Sequence, residues 1–379
     1  MKPRIIMGRR FRAASKYPNV CRAPNMPPSD ARLALIHDWV SGSLGLQPQR
    51  MEPASSDASF RRYFRLFAAH ASGDRTFIVM DAPPGKEDVR PYLNVSRLLE
   101  RVGVHVPHVY EADIERGLLL LEDLGSTPYL ARLNAGDDPE SLYGDALRTL
   151  ADMQVRGMDA AAELPSYDRA VLLREMELMP EWFIARHLGL TASPADRAVI
   201  TAAFEFLIGE ALRQPRVFVH RDYHSRNLMV TRERNPGVID FQDALCGPVG
   251  YDLVSLLRDC YIAWPRDRVE RWVRDYRAML VARGGQGGAD EREFLRWFDL
   301  IGVQRHIKVL GVFARLWYRD GKPGYLRDLP LTLDYVRDTC RRYPELAEFS
   351  RLVEQQFVPL LPGANARALS GAQADPRPA

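Results

Sequence analysis

The chain of 379 residues holds only four cysteines, Cys21, Cys246, Cys260 and Cys340, and no two of them form a C-x-x-C pair. Such scarcity excludes a zinc ribbon, a thioredoxin-type redox site and a disulfide framework, and it predicts reduced thiols in a cytoplasmic protein. No apolar run approaches the ~18 residues of a membrane span. The most apolar late stretch, 301–317, is interrupted by Arg305, His306, Lys308 and Arg315. No repeat of about 34 to 45 residues recurs, which removes a helical solenoid. A G-x-S-x-G nucleophile elbow and a G-x-G-x-x-G fingerprint are both missing. The body also lacks excess positive charge. Lys2, Arg4, Arg9, Arg10, Arg12, Lys16 and Arg22 crowd the first 25 residues without an acid, so the remainder is acidic despite an overall charge of +3. A basic face for nucleic acid is therefore not expected, and residues 1–25 read as a disordered basic extension.

What remains is the composition of a globular protein, 46% hydrophobic and 27% charged, with enough length for two lobes. Apolar spacing predicts a helix over 29–40, strands over 60–67 and 76–80, a helix over 88–101, and strands at 106–109 and 118–121. Residues 26–125 thus make a small lobe on an antiparallel sheet. A hinge rich in Gly, Pro, Asn and Asp follows at 126–140. Residues 126–362 then form a larger lobe dominated by helices at 141–156, 167–188, 194–213, 249–264, 266–283, 292–318 and 331–342. Short strands at 217–219, 228–230 and 238–241 interrupt them, and 363–379 reads as a flexible tail. The fold class is α+β, and bilobal.

The informative segment is Val-Phe-Val-His-Arg-Asp-Tyr-His-Ser-Arg-Asn-Leu-Met-Val at 217–230, followed by Val-Ile-Asp-Phe-Gln-Asp at 238–243. Asp222, Asn227 and Asp240 emerge from neighbouring strand ends. Phosphoryl transfer needs such a set: Asp222 to orient and accept a hydroxyl proton, and Asn227 and Asp240 to hold Mg²⁺ against phosphates. Their oxygens suit a hard cation. Any one of the three alone would read as a turn residue. Two other motif readings fail. Around Gly85-Lys86 a P-loop would need Gly at Met80 and Ser or Thr at Glu87. His220 and His224 straddle a strand-to-loop junction and lack a zincin's glutamate.

On these residues the chain resembles the aminoglycoside phosphotransferase-type small-molecule kinases, over about 53–345. The resemblance implies a protein-kinase-like fold, Asp222 as catalytic base, Asn227 and Asp240 as Mg²⁺ ligands, and Asp252 as support for the catalytic loop. Gly-Leu-Leu-Leu-Leu-Glu-Asp-Leu-Gly, 117–125, is similar to the family's hinge strand, where Glu122, Asp123 and Leu124 would hold the adenine of ATP by their backbone. Ser59, Phe60 and Arg61 take the place of the glycine loop, and Met80 stands where the family has its third-strand lysine. A glutamate partner is likewise missing near Tyr92. Arg61, Arg62 and Lys86 are left as substitute cations for the phosphates. Finer stretches, 56–65, 79–84 and 305–316, resemble bacterial cell-wall kinases that phosphorylate the anomeric hydroxyl of N-acetylmuramate and N-acetylglucosamine. That resemblance implies an amino-sugar substrate, with Arg305 and His306 as candidates for its carboxylate, and a monomer without nucleic-acid or membrane partners. A kinase for another small alcohol (aminoglycoside, choline or homoserine) and a pseudokinase are the alternatives.

Overall fold

The computed structural model describes residues 31–56, 60–69, 75–288 and 290–374; the predicted extension at 1–25 and Ser59 lie outside them. Strands β1 (Gln47–Ser56), β2 (Arg62–Ala69), β3 (Arg75–Asp81), β4 (Val109–Asp113) and β5 (Leu118–Glu122) form an antiparallel sheet in the order β1-β2-β3-β5-β4. Because side chains alternate along a strand, β3 and β5 split into two buried sets. Phe77, Val79, Leu118 and Leu120 pack outward with Phe64 and Leu66 under Ile36, Trp39 and Val40. Those three belong to α1 (Ala31–Asp38) and the π-helical turn that continues it. Met80, Leu119 and Leu121 pack inward with Tyr92, Val95, Leu98 and Leu99 of α2 (Arg90–Arg101). A sheet covered on both faces explains the uninterrupted leucine run of β5. The buried Asp81 carboxylate ties the edges together: Arg32 of α1 and Arg62 of β2 both bind it, Arg62 with Nε at 2.9 Å.

Beyond the hinge come α3 (Tyr129–Asn134), α4 (Pro139–Arg156), α5 (Met158–Ala161), α6 (Arg169–Met176), a π-helical segment at Met179–Leu188, and α7 (Pro194–Leu212). Four short strands, β6 (Arg216–Val219), β7 (Leu228–Met229), β8 (Gly237–Val238) and β9 (Leu245–Pro248), pair as β6-β9 and β7-β8. The chain continues through α8 (Tyr251–Leu257), α9 (Arg266–Ala282), α10 (Glu291–Tyr318), α11 (Leu329–Cys340), α12 (Ala347–Leu352) and α13 (Val358–Ala374). Helix α10 is the axis of this lobe. The Asp290 carboxylate caps it, accepting the Glu293 amide at 2.9 Å. At Gly311 a side chain would lie 2.4 Å from the Leu178 backbone, so only glycine lets the 179–188 segment cross this close. Two bonds tie the hinge segment to the catalytic-loop region of the larger lobe: the Leu130 amide donates to Ser225 O (2.9 Å), and the Val230 amide to Thr127 O (2.9 Å). Among the described residues no helix is long and apolar enough to cross a membrane.

Several boundaries differ from expectation. Residues 363–374 are not a loose tail: α13 runs to Ala374 and buries Leu361, Ala364 and Ala368, while Asn365 bonds His187 (2.8 Å) and Leu326 O (3.2 Å). The strand expected at 106–109 lies at Val109–Asp113, because Pro107 cannot donate to a ladder. The helix expected at 167–188 breaks after Met176, with Pro180 opening a wider-pitched segment. The helix expected at 249–264 shrinks to Tyr251–Leu257, since Arg258 leaves helical geometry and the Asp259 carboxylate turns back to the Tyr261 amide (3.1 Å).

Candidate active site

The polar loop 220–227 runs from the β6-β9 strand pair to the β7-β8 hairpin. Asp252, at the start of α8, accepts the amides of His220 (2.7 Å) and Arg221 (2.9 Å), as the resemblance implied. Buried Asp259 accepts the Ser225 amide at 3.0 Å, and the His224 amide closes a turn on Asp222 O at 3.0 Å. Arg221 (φ 78°) and Asp240 (φ 65°) sit in the left-handed region, a cost of about 1–3 kcal/mol each that persists only where surroundings over-determine it. Asp240 is one of the three residues that the sequence singled out, and Arg221 adjoins another, Asp222.

Asn227 joins its members. Its Nδ2 donates to Asp222 O (3.0 Å) and to Asp240 Oδ2 (3.2 Å), and the flipped amide would set oxygen against oxygen. Oδ1 is thereby left available beside the Asp240 carboxylate. Gln242 Nε2 orients that carboxylate through Oδ1 at 2.8 Å, and Arg61 approaches the same oxygen at 3.8 Å. Two oxygen ligands, with phosphate and water completing the shell, is how Mg²⁺ is ordinarily held, so the donor set fits this ion. Among the described residues no cluster of three or more His, Cys, Asp or Glu could hold a metal.

Behind Asp222 lies a charge cluster that sequence reasoning missed. Glu175 of α6 accepts from Arg221, from the Tyr167 hydroxyl, and from Lys308 Nζ of α10 (3.0 Å), which also bonds the Tyr251 hydroxyl (3.1 Å). Burial raises the affinity of the Asp222 carboxyl for its proton, but Lys308, then His224, Arg221 and Arg305, outweigh it and hold the group below its usual range. The Asp222 carboxyl is thus ionised at neutral pH. Nothing in the local sequence marks Lys308 or Glu175, because their role depends on long-range packing of two helices.

On the sheet side, Met80 is fully buried between Tyr63 and Leu119 in the ladder, and Tyr92 packs on Phe241 at 4.7 Å. An apolar stack fills the place of a lysine–glutamate pair, an exchange that is commonly neutral or stabilising. Arg62 is engaged by Asp81, whereas Arg61 reaches Asp240. Lys86 lies 4.9 Å over the ring of Phe60, whose amide donates to Glu87 Oε1 (3.1 Å). Phe60 itself is 61% exposed. At the hinge, Arg65 grips the Asp123 carboxylate (2.7 and 3.0 Å), and the Glu122 carboxylate accepts the His108 amide at 3.2 Å. Their side chains are occupied, so backbone is what 122–124 can offer a ligand. The amide of Leu124 has no hydrogen-bond partner among the described residues.

The two late-helix candidates are placed differently from expectation. His306 is 0% exposed, stacked on Tyr335 (4.9 Å) with Nε2 at 3.0 Å from Arg258 O. Arg305 is 4% exposed beside Cys260 Sγ (3.8 Å). Helix α10 is the buried axis of its lobe, and both side chains are turned into it rather than presented to solvent.

A family model described as "Phosphotransferase enzyme family" matches residues 50–298. This chain belongs to that family. The phosphotransferase is 46% identical over 340 residues to N-acetylmuramate/N-acetylglucosamine kinase of Pseudomonas putida, covering 87% of this chain and 98% of that one. It is 45% identical over 305 residues to the protein of the same name from Neisseria meningitidis serogroup B, covering 79% and 89%. Among solved structures, a Plasmodium vivax ethanolamine kinase superposes with TM-score 0.57 at 14% identity, covering 84% and 90%. The ADP-bound aminoglycoside phosphotransferase APH(2'')-Ib gives 0.52 at 15%, covering 81% and 98%. These neighbours establish the bilobal kinase-like fold.

Proposed function

We propose that this phosphotransferase is an ATP-dependent kinase for the anomeric (C1) hydroxyl of N-acetylmuramate and N-acetylglucosamine, acting in peptidoglycan recycling. The observation that carries the chemistry is Asn227 bonded at once to the Asp222 backbone and the Asp240 carboxylate, which sets base and metal ligands around one point. The substrate class rests on the names of relatives 45–46% identical over most of their length. Mg²⁺ on Asn227 and Asp240 would neutralise charge on the transferring phosphoryl group.

The backbone of 122–124 receives adenine, with Leu119 and Leu121 in the core beneath the nucleotide. Arg61, from the turn before β2, supplies the cation that Met80 cannot. Asp222 orients the sugar hydroxyl in line and takes its proton as the new bond to phosphorus forms; ADP leaves on the opposite side. Little basicity is required, and Lys308, Arg221 and Arg305 lower it further while keeping the carboxylate charged. By the family resemblance Ser59, which lies outside the described residues, and Phe60 would contact the phosphates. The free thiols of Cys246, Cys260 and Cys340 suit a cytoplasmic enzyme. A pseudokinase would have no need of an oriented base.

The test is ADP release coupled to sugar-phosphate detection with each amino sugar. Wild type turns both over. Asp240→Ala abolishes turnover, and Asp222→Asn lowers kcat by roughly 10²- to 10⁴-fold while ATP binding persists. Turnover of choline or an aminoglycoside but of neither amino sugar would overturn the substrate, and background rates throughout would overturn the enzyme.

A further inference from the structure

Of the cations around Asp222, most are committed. Arg221 and Lys308 bind Glu175, Arg61 approaches Asp240, and Arg305 is buried beside Cys260. Arg226 differs. It is the exposed residue of the loop 220–227, and it makes no hydrogen bond or ion pair among the described residues. Its guanidinium lies flat on the ring of Tyr261, 3.5 Å from the centroid. His224 meets the same ring edge-on at 5.4 Å, with its Nδ1 buried and unpartnered. Tyr261 is backed in turn by Phe313 (6.3 Å), and Phe313 by Tyr325 (5.1 Å). A planar fork stacked on an aromatic face is pre-organised to take a carboxylate in bidentate fashion.

Its position defines the side on which it acts. Arg226 stands between Asp222 and Asn227. The metal-ligand face of that loop meets Asp240 and Arg61, where phosphates belong, whereas Arg226 turns to the helical wall of Tyr261 and Phe313. In-line transfer brings the acceptor from the side away from the nucleotide. The half-buried Asp328 is a competing charge that Arg226 feels, and burial pushes its carboxyl up to about 6, with Arg226 acting in the opposite sense.

We infer that Arg226, held on Tyr261, receives the lactyl carboxylate of N-acetylmuramate and so determines the preference for that sugar over N-acetylglucosamine, which has no such group. The inference rests on the amino-sugar reading above. Arg226→Met and Arg226→Lys are assayed for kcat/KM on both sugars, and for unfolding midpoint. For Arg226→Met, the ratio of N-acetylmuramate to N-acetylglucosamine kcat/KM falls by roughly 10- to 100-fold, through KM, as expected for losing a hydrogen bond to a charged group. Arg226→Lys recovers part of the ratio. Equal losses on both sugars, or an unaltered ratio, overturn this inference alone. A wild-type enzyme inactive on both sugars overturns the substrate reading together with it.

Discussion

Glu175→Gln tests whether the charge cluster behind Asp222 governs both stability and turnover. Glu175 is buried, and its carboxylate is shared by Arg221, Lys308 and Tyr167, with Gln304 Nε2 at 3.5 Å. Burial would raise its pKa, but Lys308 and Arg221 hold it below the ordinary carboxylate range. The amide preserves shape and one acceptor while deleting the charge, so two buried cations lose their anion. Breaking such a pair costs about 3–5 kcal/mol, and the retained carbonyl places this variant near the lower end. A loss of about 3 kcal/mol is more than a hundredfold in the unfolding equilibrium. Urea titration should show a lower midpoint at unchanged slope. Turnover should fall as well. Freed from Glu175, Lys308 and Arg221 turn to Asp222 and draw its carboxylate from the hydroxyl, so kcat drops by roughly tenfold or more with a smaller change in the KM for ATP. Adding Lys308→Met removes one orphaned cation, and the cycle should give a coupling of at least about 1 kcal/mol. A wild-type midpoint for Glu175→Gln, with additive effects in the double variant, would refute the reasoning.

Arg61→Met should raise the KM for ATP and lower kcat at a nearly unchanged unfolding midpoint. Arg62→Met should instead cost about 1–3 kcal/mol of stability, because buried Asp81 loses one of two clamps; the reverse pattern would exchange their roles. His220 and His306 are buried neutral, with burial lowering them from 6.5 to about 4 and about 3. The unfolded chain takes up these protons first, so their contribution is complete above pH 6.5 and is lost as pH falls, by up to about 1.4 kcal/mol per pH unit for each. Urea midpoints measured from pH 7.5 to 5 should decline, less steeply in His306→Gln; an identical slope would dismiss that histidine.

Local signals were strong where one segment carried the whole message. The H-x-D-x-x-x-x-N and I-D-F spacing brought out Asp222, Asn227 and Asp240, because a strand-loop-strand unit fixes their relation within about twenty residues. Alternation and helical periodicity likewise marked β2, β3, β5, α2, α7, α9 and α10. Strand β1 escaped notice because Pro48 and Pro53 mask its pattern, and β9 because Gly247 and Pro248 read as turn.

Other outcomes depended on what stood opposite a residue. Arg61 and Arg62 are neighbours of identical chemistry, yet Arg62 opens β2 and binds Asp81, while Arg61, just before the strand, approaches Asp240. Arg305 and His306 look like a solvated face until α6, α7, α8 and α11 close around α10. Arg226 looks like any loop arginine until Tyr261 lies beneath it. Residue order determined which groups could do chemistry; only packing decided which of them were paired, buried or left open, since charge compensation is a property of neighbours in space.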